Sequence, residues 1–183
     1  YAPLDRRLAA VDEFVADNPG IEIVTQTGTV SGNAALDTAA QVAALLSANP
    51  VDGDVQAIWS HWNEFTRGAM TALSDAGRSD VAVYTVDLTD QELPFFWDET
   101  VDFRAASATN PATIGRSQVR LAWVKAAGNE EGNLLVEPAL ITKADLPDEE
   151  ISFVELVEYV PAWNADDSTW PAWIKSLHER SAQ

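Results

Sequence analysis

Cysteine is absent from this chain, which excludes disulfides, zinc–thiolate sites and thiol nucleophiles but leaves the compartment open, since cysteine-free chains occur inside and outside cells. Cations are scarce: 11 Lys plus Arg stand against 29 Asp plus Glu, for a formal net charge of -18. A nucleic-acid groove needs a positive face that displaces counterions, so no nucleic acid is expected as a partner. An anionic lipid surface is disfavoured for the same reason. No apolar run reaches the roughly 18 to 20 residues that span a bilayer, so no membrane insertion is expected. No charged-then-apolar secretion signal stands at the start. The first residue is Tyr1 and the sole methionine is Met70, so a processed or truncated product is expected.

The catalytic inventory is also thin. There are two histidines, no G-x-S-x-G elbow and no phosphate-binding Gly-rich loop. Carboxylates are abundant enough for glycoside hydrolysis, but nothing in the spacing fixes a pair at a catalytic separation. The acidic run Asp145, Asp148, Glu149 and Glu150 has no recognised oxygen-ligand loop spacing. No enzyme activity, cofactor or metal is expected.

What the chain does have is 183 residues with 46% hydrophobic content, enough for a real core in one domain, or one domain and part of another. The stretch Val55 to Asp87 reads as a complete strand, helix, strand. VQAIWS and VAVYTVD are apolar nearly throughout, as strands buried on both faces must be. Between them Phe65, Ala69, Met70, Leu73 and Ala76 recur at helical spacing, with Asn63 as expected N-cap and Gly77 just past the end. Two parallel strands joined by a covering helix make a right-handed crossover. Ligands of such folds bind beyond the carboxyl ends of the strands, here around His61 to Asn63 and at Asp87.

In chain order, Leu4, Leu8, Val11 and Val15 predict an amphipathic helix over residues 5–16, closed by Asn18-Pro19-Gly20. IEIVTQT at 21–27 predicts a strand. Residues 34–47 predict a helix facing inward through Leu36, Ala39, Ala43 and Leu46. After Asp87, Pro94 allows only a short, interrupted helix, and Phe95, Phe96 and Trp97 are expected to pack rather than line a cleft. FRAASA is a strand, and Asn110-Pro111 is a helix start whose Ile114, Val119 or Leu121, and Val124 face inward. LLVEPALI is a last strand broken by Pro138. The Trp-rich tail, with Trp163, Trp170 and Trp173, is expected to be a flexible acidic extension anchored by its tryptophans, with a terminal helix starting near Ser168, Thr169 and Pro171 and carrying Trp173, Ile174 and Leu177. Alternating strand and helix gives α/β architecture with a mainly parallel sheet.

The order of segments, with NEFTRGAMTAL, the Asp87 strand end, FRAASATNPATIG and PALITKADL, resembles the periplasmic sugar-binding proteins of ABC transporters, the ribose-binding-like type, over residues 5–146. The resemblance implies a three-layer sandwich, one lobe of a type I periplasmic-binding-protein-like fold. It implies that 1–110 is the second lobe lacking its first strand, 111–146 a crossover helix and strand toward a first lobe, and 147–183 an acidic, Trp-rich extension. The implied function is extracytoplasmic capture of a sugar or polyol, in the periplasm or lipid-anchored outside the membrane, for import through an ABC transporter permease. An effector-binding domain of a sugar-responsive transcription regulator and a carbohydrate-active enzyme are the alternatives.

Position by position, Asp87 matches a family Asp that accepts hydrogen bonds from sugar hydroxyls. Trp62 and Asn63 stand where the family has Asn and Asp. Asn33 falls where an aromatic ring stacks on the sugar, and Thr109 where a Gln bonds a hydroxyl. The ligand-binding Arg of the first helix falls at Asp5 or, with a one-residue slip, Arg6. A lobe without its inner strand exposes an edge and apolar surface, so self-association is also expected.

Overall fold

The computed structural model describes residues 2–128, 135–163 and 172–181. The chain runs α1 (Ala2–Asp17), α2 (Ala34–Ala48), β1 (Ala57–Ser60), α3 (Asn63–Ala76), β2 (Ala82–Val86), β3 (Asp102–Ala108), α4 (Pro111–Ala126), β4 (Ala139–Thr142), α5 (Leu156–Tyr159) and α6 (Ala172–Ser181). The sheet has the order β1-β2-β3-β4; the first three strands are parallel, and β4 is antiparallel to β3. Ala57 faces Ala82 and Ser60 faces Thr85 in register, so the expected crossover from β1 through α3 to β2 is present. Gly77 ends α3 at φ 66°, a left-handed turn that glycine enters without steric penalty. Trp62, not Asn63, occupies the N-cap and makes no side-chain capping bond, while Asn63 is the first helical residue and is buried.

The core joins Val42 and Leu46 of α2, Met70 and Leu73 of α3, and Val83, Phe103, Ala106 and Ile141 of the sheet. The buried face of α2 is Ala34, Thr38, Val42 and Leu46, a four-residue spacing, and the expected inward Leu36 is instead 64% exposed. Gly68 accounts for the change. A Cβ there would lie 2.2 Å from the Ala35 carbonyl oxygen and 2.8 Å from Thr38 Cβ, so α3 crosses α2 almost backbone to backbone on the small-residue side. On α4 the buried residues are Ser117 and Val124, with Ile114 and Leu121 half-buried and Val119 exposed.

Residues 21–27 form no strand, against expectation. Ile21, Ile23 and Val24 are 44%, 40% and 52% exposed. A β-prone segment becomes a strand only when a neighbour completes its ladder, and among the described residues none pairs with it. β1 is correspondingly an open edge, with Trp59 40% exposed. The last strand is confined to Ala139–Thr142, beyond Pro138.

The segment after Lys143 is built into this core. Leu156, Val160 and Trp163 are buried in the same cluster as the sheet residues, and the Trp163 indole N–H donates to the Ala108 carbonyl at 3.2 Å. The Thr113 hydroxyl donates to the Trp163 carbonyl at 3.4 Å. Phe96 packs on Phe103 at 4.6 Å and Trp97 donates to the Pro147 carbonyl at 3.1 Å, so the Phe95–Trp97 group packs as expected. Ser168, Thr169, Trp170 and Pro171 lie outside the described residues; Trp173 and Ile174 are half-buried on α6.

Candidate functional site

Three helix starts and two strand ends converge at one corner of the fold. Leu4 of α1, Ala34 of α2 and Phe65 of α3 form a small apolar cluster, with Trp62 packed against it. The Trp62 ring meets Phe65 edge-on at 5.5 Å. β1 ends in Ser60, whose hydroxyl donates to the Trp62 carbonyl at 2.7 Å, and β2 delivers Asp87 one residue past its end. Behind them the Thr66 and Thr85 hydroxyls bond at 2.6 Å, locking α3 to β2.

Asp87 is the one described non-glycine residue with positive φ, at 71°. That left-handed backbone is uncommon for a residue with a side chain and persists only where the surroundings over-determine it. Its N–H donates to the Ser107 carbonyl at 2.9 Å. Its carboxylate takes a fork from Arg7, with Nη1 to Oδ2 at 2.8 Å and Nη2 to Oδ1 at 3.2 Å. Arg7 Nη1 also donates to the His61 carbonyl at 2.6 Å. One guanidinium therefore clamps α1 to the ends of both β1 and β2. Both members of the ion pair keep about a third of their side-chain surface exposed, 32% and 37%, so the pair is accessible to a ligand.

His61 stacks on Trp59 at 5.6 Å and tilts against Phe65 at 5.3 Å. Burial among these rings, with the Arg7 cation as the next cause, pulls its pKa below the ordinary imidazole range, so the ring is neutral at neutral pH. Asn33 caps α2, its side-chain oxygen accepting from the Leu36 N–H at 3.1 Å. The loop before it is held by Asp37, which accepts from the Ser31 hydroxyl at 2.7 Å and the Val30 and Ser31 amides at 2.6 and 2.7 Å. Those bonds, the Ser31 hydroxyl foremost, bring the Asp37 carboxyl down to about 2. Gln41 grips the same loop by accepting from the Gly28 N–H and donating to its carbonyl.

Of the residues singled out from sequence, Trp62, Asn63 and Asp87 come together with His61. Asn33 borders the same apolar cluster through Ala34. Thr109 follows the end of β3, two residues beyond the carbonyl that holds the Asp87 amide. Arg6 is exposed, and it is the next residue, Arg7, that reaches Asp87. A helical signal could have found it: Arg7 is three residues after the buried Leu4 and beside Leu8 on the apolar stripe, whereas Arg6 points off that stripe. The corner thus offers a bidentate cation donor, an acceptor-only carboxylate and an aromatic ring, groups that together match a molecule of hydroxyls and C–H faces.

The family described as periplasmic binding protein domain matches residues 2–130. Among solved structures, the chain is similar to a sugar ABC transporter protein from Yersinia enterocolitica subsp. enterocolitica 8081, with 30% identity, TM-score 0.83, and coverage of 97% of this chain and 54% of that one. It is similar to the 5-methylthioribose transporter solute-binding protein of Thermotoga lettingae TMO, solved with 5-methylthioribose, at 34% identity, TM-score 0.83 and coverage of 98% and 56%. An ABC transporter solute-binding protein from Agrobacterium vitis with bound allitol matches at 31% identity and TM-score 0.60, over 66% of this chain and 42% of that one. The chain spans about half the length of these solved relatives. No curated protein sequence matches it.

Proposed function

The chain belongs to the periplasmic binding protein domain family, and from that premise we propose that it supplies one wall of an extracytoplasmic site that captures a sugar or polyol for an ABC importer. The observation that carries this reading is the half-exposed Arg7–Asp87 pair beside Trp62 at the carboxyl ends of β1 and β2. Hydroxyls accept from Arg7 and donate to Asp87, and the ring of Trp62 covers a C–H face. Asn63, Asn33, Thr109 and His61 are further candidates for ligand contact in this proposal. The solved relatives with bound 5-methylthioribose and allitol make small polyhydroxylated ligands the class to test. The role is binding, not catalysis, and the partner is a transporter permease. The chain acts outside the cytoplasm, in the periplasm or on a lipid anchor.

In this proposal residues 1–110 are one lobe; the strand expected to cross toward a second lobe instead pairs with β3 as β4, and the chain from there to Trp163 packs on the first lobe. Closure between two lobes excludes water and supplies the remaining hydrogen bonds. Calorimetry of the two-lobed protein against pentoses, hexoses, polyols and 5-methylthioribose is expected to show binding of at least one. Asp87→Ala removes a charge-assisted acceptor and is expected to weaken that binding by about 1.5 to 3 kcal/mol, roughly 10- to 150-fold. No heat with any member of the panel overturns the sugar assignment.

Among the described residues the β1 edge is unpaired and Ile21, Ile23 and Val24 are exposed. Unpaired strand edges beside apolar surface recruit other chains. Light scattering is expected to show species heavier than the 19.8 kDa monomer; a mass that stays monomeric as concentration rises refutes self-association.

A further inference from the structure

Glu92 is completely buried, a place where a carboxylate is costly unless it is paired and hydrogen-bonded. Its Oε2 accepts from the Thr89 N–H at 3.0 Å and the Thr89 hydroxyl at 2.5 Å. Its Oε1 accepts no hydrogen bond and faces Arg67 Nε at 3.4 Å, an atom that likewise lacks a hydrogen-bond partner. Arg67 also pairs with Glu64, one turn back on α3. This carboxylate, guanidinium, carboxylate chain joins two walls of the candidate site. Arg67 is four residues along α3 from Asn63, and Glu92 grips Thr89, two residues after Asp87.

We propose that Arg67 and Glu92 are positioning residues for the site, their ion pair holding the Asp87 loop at a set distance from the start of α3. This rests on the reading of Asp87 as a ligand-binding residue. Asp87 sits at φ 71°, a left-handed conformation that Asp tolerates better than most residues and that its bonded neighbours hold in place. On one side its N–H is fixed to Ser107. On the other the chain passes through buried Leu88 to Thr89, whose amide and hydroxyl both end on Glu92. Apolar residues in place of Arg67 and Glu92 could pack equally well, since buried ion pairs are often no more stabilising than apolar substitutes of similar volume. What an apolar pair would lose is direction: a fixed charge aimed from α3 at the loop.

The test uses the ligand-free chain, so its outcome is independent of whether any sugar binds. Amide hydrogen exchange is followed residue by residue in Glu92→Gln, Arg67→Lys and the double variant Arg67→Met/Glu92→Leu. The double variant is expected to keep its unfolding midpoint within a few degrees while exchange at Asp87 accelerates at least tenfold; amides in the middle of β2 and α3, such as Val83 and Leu73, change less than twofold. Glu92→Gln, which keeps an acceptor for Thr89 and removes only the charge, is expected to accelerate Asp87 exchange about fivefold, and Arg67→Lys to retain most of the protection. If Asp87 exchange moves in step with Val83 and Leu73 in every variant that folds, the pair is ordinary core packing and the proposal is overturned. Failure of the sugar panel with a positive exchange result would remove the ligand and leave the positioning intact.

Discussion

Replacing Gly68 with alanine is expected to destabilise the chain by about 2 to 3 kcal/mol, although alanine is the better helix former by about 1 kcal/mol. The added Cβ would stand 2.2 Å from the Ala35 carbonyl oxygen and 2.9 Å from the Ala39 nitrogen. Both are backbone atoms of α2, so no side-chain rotation relieves the overlap and one helix must move. That movement disturbs the most extensive contact between helices among the described elements. It also reaches the candidate site, because Ala34 and Phe65 of the same two helices form the cluster on which Trp62 packs. For a domain of this size the loss lowers the thermal midpoint by about 4 to 12 °C. Gly115 is the internal control, since a Cβ there meets nothing within 4 Å; Gly115→Ala in α4 is expected to stabilise by about 0.5 to 1 kcal/mol. Thermal or urea unfolding of the two variants checks both signs, and equal behaviour would mean that α2 and α3 are not in close contact.

Trp163→Ala carries the other large effect, a loss of about 3 to 5 kcal/mol. The indole is 4% exposed, packs on Phe153 at 5.8 Å and bonds the last carbonyl of β3. Against a total stability of about 5 to 15 kcal/mol for a natural domain, that is a large share. Trp163→Phe keeps most of the apolar contact but leaves the Ala108 carbonyl without its donor, so a smaller loss of about 1 to 3 kcal/mol is expected. A tail anchored only at the surface would show neither loss, and urea midpoints equal to that of the unmodified chain would establish this.

Much of the corner that forms the candidate site was legible in the residues themselves. Asp87 follows a short apolar strand, and Gly77 and Asn110 mark a helix end and a helix start at positions where the backbone takes the conformation they favour. Asn33 illustrates the limit. The resemblance gives it a ligand-facing place, and in the fold its oxygen caps α2, a role open to any Asn before a helix. Arg6 and Arg7 differ by one residue in sequence and by about 100° around the helix, and only a partner across the fold selects between them.

What the sequence determined by itself is whatever depends on neighbours a few residues away: the periods of α1 and α3, the strand β2, the helix end at Gly77 and the cap at Asn110, the excess of negative charge and the segment order that marks the family. What only the tertiary structure decided depends on distant partners. Residues 21–27 have the composition of a strand and no described strand beside them, so they stay outside the sheet. Leu36 fits a helical stripe, yet the close approach at Gly68 turns Ala34 and Thr38 inward instead. Glu92 reads as one acid among 29 Asp plus Glu, and only the crossing of its loop over α3 buries it against Arg67. Hydrogen-bond ladders, burial and ion pairs are set by contacts that close long loops, and such contacts leave no local period for a sequence to show.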